Sequence, residues 1–318
     1  LRTVAFSIIV VLMSDVSSND PACHDRADAI ELVIVGRPRD LGDNMVVSRL
    51  LPAPKRRMVG PFVFLDHMGP MTLPPGAGFD VRPHPHIGLS TVTYFLAGEN
   101  VHRDSLGTVQ TNRPFDLNLM TAGRGVVHSE RADPAFRASG GLMHGIQIWL
   151  ALPASHEDVE PSFEHHPKAT LPAIAPADGV TGRVLIGTAF GATSPIRHPS
   201  EPLLVDLHLE AGARVAIAND VPERAVFVIE GAVELAGHAC TTNQLAVLTP
   251  GELEVCASEP SHVLLIGGAS LGPRVLDWNF VATTKERIDR AREAWKRQEF
   301  PTIPTDHDDF VPYPELRK

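Results

Sequence analysis

Two short patterns, His84-Pro85-His86 and His128-Ser129-Glu130, constrain this chain more than any other feature. In a β-strand, residues i and i+2 point to the same face. His84 and His86 therefore project together, and so do His128 and Glu130. Two such pairs on neighbouring strands aim four side chains at one point inside a barrel. Three neutral imidazoles and one carboxylate suit a borderline first-row divalent metal. Iron(II) is the leading assignment, one ion per chain, with manganese, nickel, copper and zinc left open by side-chain type. The turn that introduces the second pair, Gly123-Arg124-Gly125-Val126-Val127-His128, follows an apolar run and so places it at a strand start.

The rest of the chain has the punctuation such a barrel needs. With 28 prolines and 25 glycines in 318 residues, the elements must be short and the turns tight. Strand-like runs appear at 30–36, 45–51, 61–65, 90–96, 117–120, 145–152 and 183–187, separated by turns such as Gly98-Glu99-Asn100 and Gly140-Gly141. A proline-rich stretch without period follows Ala154. A second β-patterned region begins at Pro202, with runs at 203–209, 214–218, 225–230, 232–235, 244–248 and 262–267. The expectation is an all-β chain of two barrels in tandem: an extension over 1–28, a metal-binding barrel over 29–153, a linker or excursion over 154–201, and a barrel without a metal motif over 202–318. That last part includes one helix, predicted over Lys285–Glu299 behind a capping box at Thr283–Glu286, and an extended tail.

Composition excludes several classes of function. Hydrophobic residues make up 43% and charged residues 21%, an ordinary globular balance. The net charge of −10 repels a phosphate backbone, so no direct nucleic-acid contact is expected. Cys23, Cys240 and Cys256 are too few and too scattered for a disulfide scaffold or a zinc ribbon. They fit a reducing compartment, and a cytoplasmic location is expected. The apolar run Val4–Met13 is too short to span a membrane, and an export signal there is the less favoured reading. Gly-rich nucleotide loops, GxSxG and HExxH are absent.

A longer set of motifs then becomes specific. Gly60-Pro61-Phe62, Asp66-His67-Met68-Gly69-Pro70, RPHPHIGLSTVTYFLAGE, HRDSLG, MTAGRGVVHSE, HGIQIWLALP, WNFV, KERI and FVPYP occur in this order. Together they resemble the pirin family, over nearly the whole chain from Ile30 onward. The resemblance implies a bicupin, two jelly-roll-type β-barrels of which the first holds a mononuclear metal, usually iron. Matched residue by residue, the family's ligands fall on His84, His86, His128 and Glu130. Two departures stand out. Where a general cupin pattern places a glutamate after the HxH, this chain has Ser90 and Thr91. The turn that commonly reads Pro-Gly-Asp is Pro114-Phe115-Asp116, and Phe tolerates positive φ less well than Gly.

Four protein ligands on an octahedral ion leave two positions for an organic substrate and O₂. The resemblance implies quercetin 2,3-dioxygenase-type cleavage of a flavonol, with Glu130 also accepting the proton of the flavonol hydroxyl. His67, His102, His144 and Gln147 are candidates to orient the ligands. Phe64, Met68, Tyr94, Leu96 and Met120 are candidates to line the cavity. The family also contains iron-dependent regulators that dock on a transcription factor or metabolic enzyme, so a protein partner is the alternative expectation. Lone His208, His238 and His262 in the second half show no HxH and are not expected to bind metal.

Overall fold

The computed structural model describes residues 29–41 and 46–314, and the backbone of a short strand at Cys23–Asp25. The rest of the expected N-terminal extension, with Val4–Met13, lies outside these residues. The fold is two β-barrels. In the first, a seven-stranded sheet faces a four-stranded one made of Val81–His86, Val126–Ala132, Asn100–Asp104 and Val109–Asn112. In the second, an eight-stranded sheet faces a four-stranded one made of Arg214–Ile217, Leu253–Ala257, Ala232–Leu235 and His238–Thr241.

The two large sheets pack against each other. Leu50, Phe62, Val92, Leu119 and Ile148 of the first barrel share one apolar cluster with Leu204, Phe227, Leu245, Leu264 and Ile266 of the second. This explains why strands such as Ser261–Gly268 read as almost unbroken apolar runs. One face fills a barrel and the other fills the seam, so neither meets water. The small sheets have one wet face, and Arg214–Ile217 alternates exposed and buried accordingly.

Strand pairing crosses the expected domain limits. Ile30–Val35, assigned to the first barrel, pairs with Gln244–Leu248 in the second. The stretch read as a linker supplies Ser162–His166 to the first barrel's large sheet, and Ala173–Ala177 and Val180–Ile186 to the second's. Pairings between strands so distant in sequence leave no local signal. The C-terminal segment makes the opposite exchange. Its hairpin, Val275–Asp277 and Phe280–Ala282, and its helix, Lys285–Lys296, pack on Ile87 and Val127 of the first barrel. The helix buries Ile288, Ala291 and Trp295, the apolar face expected from their spacing. Its cap is Thr284, which accepts from the Arg287 N–H; the expected reciprocal box with Glu286 does not form.

The tail is a strap across the first barrel's small sheet. Val311 N–H donates to the Pro83 carbonyl at 2.8 Å, and the Trp295 indole donates to the Val311 carbonyl at 3.0 Å. Asp306 accepts two bonds from the Arg131 guanidinium at 2.8 Å and one from the Ser129 hydroxyl at 2.7 Å. The Phe115 turn keeps its left-handed backbone, at φ 67°. The ring packs edge-on to Tyr94 with the Lys168 ammonium 4.2 Å above it, contacts that offset the strain a non-glycine residue bears there. Among the described residues no helix is long and apolar enough to cross a membrane.

Candidate metal centre

The two ligand strands lie side by side as the spacing requires. His128 pairs directly with His84 and Val126 with His86, and the register slips between His128 and Glu130. Val81–His86 is an edge strand, which is why it tolerates Pro83 and Pro85: a proline there removes no ladder donor that a second neighbour needs. The strap then covers that edge at Pro83. On the other strand, Ser129 and Arg131 point outward to the strap while His128 and Glu130 point inward.

Three buried imidazoles converge. Their ring centroids are 4.3 Å apart for His84 and His128, 5.0 Å for His84 and His86, and 5.0 Å for His86 and His128. The Nδ1–H of His84 donates to the Arg82 carbonyl at 2.9 Å, and that of His86 to the Asn279 carbonyl at 2.9 Å. Each bond leaves Nε2 as the free lone pair, the arrangement expected of a metal-bound histidine. Nε2 of His128 is buried with no hydrogen-bond partner, and so is Oε2 of Glu130. Orphaned acceptors of this kind are costly unless a cation meets them.

Glu130 stands slightly apart from the three-imidazole set. It groups with His102 and His128, its Oε1 lying 3.2 Å from His128 Nδ1. Burial holds the imidazoles neutral, with His84 pushed down to about 4 and His86 and His128 also lowered. Burial lifts Glu130 to about 8, the Arg131 charge opposing weakly. At neutral pH the acid therefore carries a proton that an arriving cation displaces. The donor set and its two orphaned atoms fit a divalent ion.

The cavity in front of these groups has a volume of about 50 Å³. Phe64, Met68, Phe79, Phe95 and Trp149 supply most of its wall, with Thr91, Thr93, Asn100 and Gln147 as polar points. Phe64, Met68 and Gln147 take the places expected of them. Tyr94 and Leu96 do not: they face the seam, one residue out of register with Thr91, Thr93 and Phe95 on the same strand. Met120 packs in a separate small cluster with Ala122 and Val126. His102 is positioned behind His128, with Nδ1 atoms 3.4 Å apart, and is held by Asp104 at 3.1 Å. His67 and His144 contact each other at 2.7 Å through their Nε2 atoms, away from the cavity, where Asn243 of the second barrel joins them. Trp149, Phe79 and Asn100 carry no local signal of a place in the cavity, whereas strict alternation from Thr91 identifies Phe95.

Comparison with known proteins agrees with this architecture. The family model for pirin matches residues 44–150, and that for the pirin C-terminal cupin domain matches residues 204–301. A pirin-like protein of Caulobacter vibrioides is 46% identical over 90% of this chain and 100% of its own length. A crystal structure described as quercetin 2,3-dioxygenase from Acinetobacter baumannii superposes with a TM-score of 0.83 at 37% identity, covering 90% of this chain and 95% of that one. A second structure from that organism, under the same description, reaches 0.80 at 28% identity, covering 89% and 100%. With two barrels, a histidine- and glutamate-lined divalent-metal site in the first, and matches to both family models, the chain belongs to the pirin family.

Proposed function

We propose that this protein is a metal-dependent dioxygenase of the quercetin 2,3-dioxygenase type, acting on a flavonol or a similar small aromatic with O₂. The observation that carries this reading is the convergence of three buried imidazoles, with the orphaned Nε2 of His128, beside a buried Glu130 on the wall of one apolar cavity. His84, His86, His128 and Glu130 are the proposed ligands, Glu130 after a modest side-chain rotation, and Fe(II) is the proposed ion. A bound divalent ion supplies Lewis acidity and redox contact between an organic substrate and O₂. Once an ion has displaced its proton, the Glu130 carboxylate would accept the flavonol hydroxyl proton. Phe64, Phe95 and Trp149 bury the aromatic rings, and Gln147, fixed by Thr93 at 3.0 Å, offers a polar contact at the wall.

One observation favours a second reading. A flavonol needs a pocket of several hundred Å³, and this one has about 50 Å³. Substrate entry therefore requires part of the wall to move. A regulator that reports the state of its metal to a protein partner needs no such opening. Iron-loaded protein in air decides between the two. The dioxygenase consumes one O₂ per quercetin and releases carbon monoxide; no consumption above the free-iron background transfers the assignment to the regulator.

A further inference from the structure

The described residues hold one more group with metal-ligand chemistry, outside both barrel interiors. Asp206 and His208 lie on Leu203–Leu209, and His262 lies on the adjacent Ser261–Gly268. Their spacing repeats the i, i+2 logic of the first site, but on the opposite side of the wall. Val205, Leu207 and Leu209 fill the second barrel, whereas Leu204 faces the seam. Asp206 and His208 share the face of Leu204, and Tyr94 of the first barrel reaches across to donate its hydroxyl to Asp206 Oδ2 at 2.6 Å.

The donors converge on a single oxygen. His208 and His262 are direct cross-strand partners, their rings stacked with centroids 3.9 Å apart and 26° between planes. His262 Nε2 is in hydrogen-bond contact with Asp206 Oδ1, and His208 Nε2 lies 3.8 Å from the same atom. One ligand atom from each residue falls within 4.8 Å of the others. Tyr94 fixes the carboxylate's orientation through Oδ2, and an arriving ion would displace His262 from Oδ1. The charge around it is mixed: Asp206 is buried and Glu230 sits opposite His262, while Arg183 is the cross-strand partner of Asp206 and Lys168 acts on His208.

We propose that Asp206, His208 and His262 form a second, exchangeable site for a borderline divalent ion such as zinc or cobalt, at the seam between the barrels. Bonds of about 2.0–2.2 Å in tetrahedral geometry place donors roughly 3.3 Å apart. His208 closes that gap by about half an ångström, which its half-exposed position allows, and His262 retreats from Asp206. The stacked rings splay, because each must bring the ion into its own plane. Water at the exposed edge completes the coordination. Through Tyr94 the ion is one hydroxyl away from the first barrel, so its occupancy adds to the cohesion of the seam. The proposal stands independently of the chemistry assigned to the first barrel.

The test is a titration of chelator-treated full-length protein with Co²⁺ alone, read by calorimetry, by cobalt absorption bands and by metal analysis. Wild type takes up one ion per chain more than His208→Ala. That side chain is half-exposed, so its removal leaves the fold and the first-barrel ion in place. Asp206→Asn keeps the Tyr94 bond and weakens the seam ion by roughly 10–100-fold. Equal stoichiometry and equal spectra in wild type and His208→Ala overturn the proposal. So does an extra ion that survives in His208→Ala, which belongs to other surface histidines.

Discussion

The two barrels share one plan and differ in what they put inside it. In each, a four-stranded sheet faces a large one, and the first two strands of that small sheet pair antiparallel. In the first barrel those strands present His84, His86, His128 and Glu130 to a cavity. In the second they present Val215, Ile217, Leu253, Val255 and Ala257, which pack into a continuous apolar core with Val205, Leu207 and Val263. The architecture therefore does not specify a metal. Replacing polar donors by Val and Leu on the same lattice turns a donor-lined cavity into a solid support, and the filled barrel gives the hollow one a seam to lean on.

That contrast can be broken most sharply at the ligands. His86→Ala or His128→Ala should lower metal affinity by more than about 100-fold, since each removes a direct bond where loss of a mere orienting partner already costs roughly 10–100-fold. Retention of a full complement by metal analysis after dialysis against chelator defeats the assignment. The converse change tests the support. Val255→Asp buries a charge in a fully apolar core and should cost about 3 kcal/mol or more. It should gain no metal, because a single carboxylate does not make a coordination set. Thermal unfolding within a degree or two of wild type would mean that the second core is far looser than its burial implies.

A smaller effect is expected at the strap. Asp306 binds Ser129 and Arg131, the outward neighbours of His128 and Glu130. Asp306→Ala should loosen both inward side chains and lower metal retention by about tenfold, within the range for orienting partners. Asp306→Glu should restore part of it. An unchanged dissociation rate in the alanine variant reduces the strap to a cover.

A pH-dependent effect concerns protons. In metal-free protein Glu130 titrates at about 8, against 4.5 for an ordinary glutamate. Between those values the native carboxyl keeps a proton that the unfolded chain has released. Stability therefore falls as pH rises through that window, and is unaffected below it. Glu130→Gln removes the penalty. The variant should exceed wild type in stability at pH 8 and match it near pH 4, by denaturant melts run in parallel. A difference independent of pH would show that Glu130 is not held neutral.

How far the sequence foretells this molecule depends on the range of each contact. The ligand strands are legible because a period of two is local: His84 and His86, or His128 and Glu130, announce their common face without knowledge of any partner. The same period is present in Asp206-Leu207-His208, yet His208 and His262 read as lone histidines not expected to bind metal, because an acid and a histidine on an otherwise apolar strand resemble ordinary surface polarity. Tyr94 and Leu96 were placed in the cavity by their character, although alternation from Thr91 puts them in the seam. The pairing of Ile30–Val35 with Gln244–Leu248 has no local trace at all. Neither does the carbonyl of Asn279, whose hydrogen bond selects the tautomer of His86 across 193 residues.

That last bond sets an order of events during synthesis. Chains emerge from the ribosome at roughly 5–20 residues per second, and amino-terminal units tend to fold first. Here the strands of the first barrel all lie within residues 37–166, yet its centre cannot be finished then. The strand ahead of it waits for a partner that ends at Leu248, and the carbonyl that aims His86 arrives later still, on the hairpin after Val275. A nascent first barrel therefore exposes half-aligned imidazoles and an uncovered edge at Pro83 for as long as the second barrel takes to be made. The exchange of ends delays the finished pocket until nearly the whole polypeptide is available, so a truncated product is unable to assemble a competent centre.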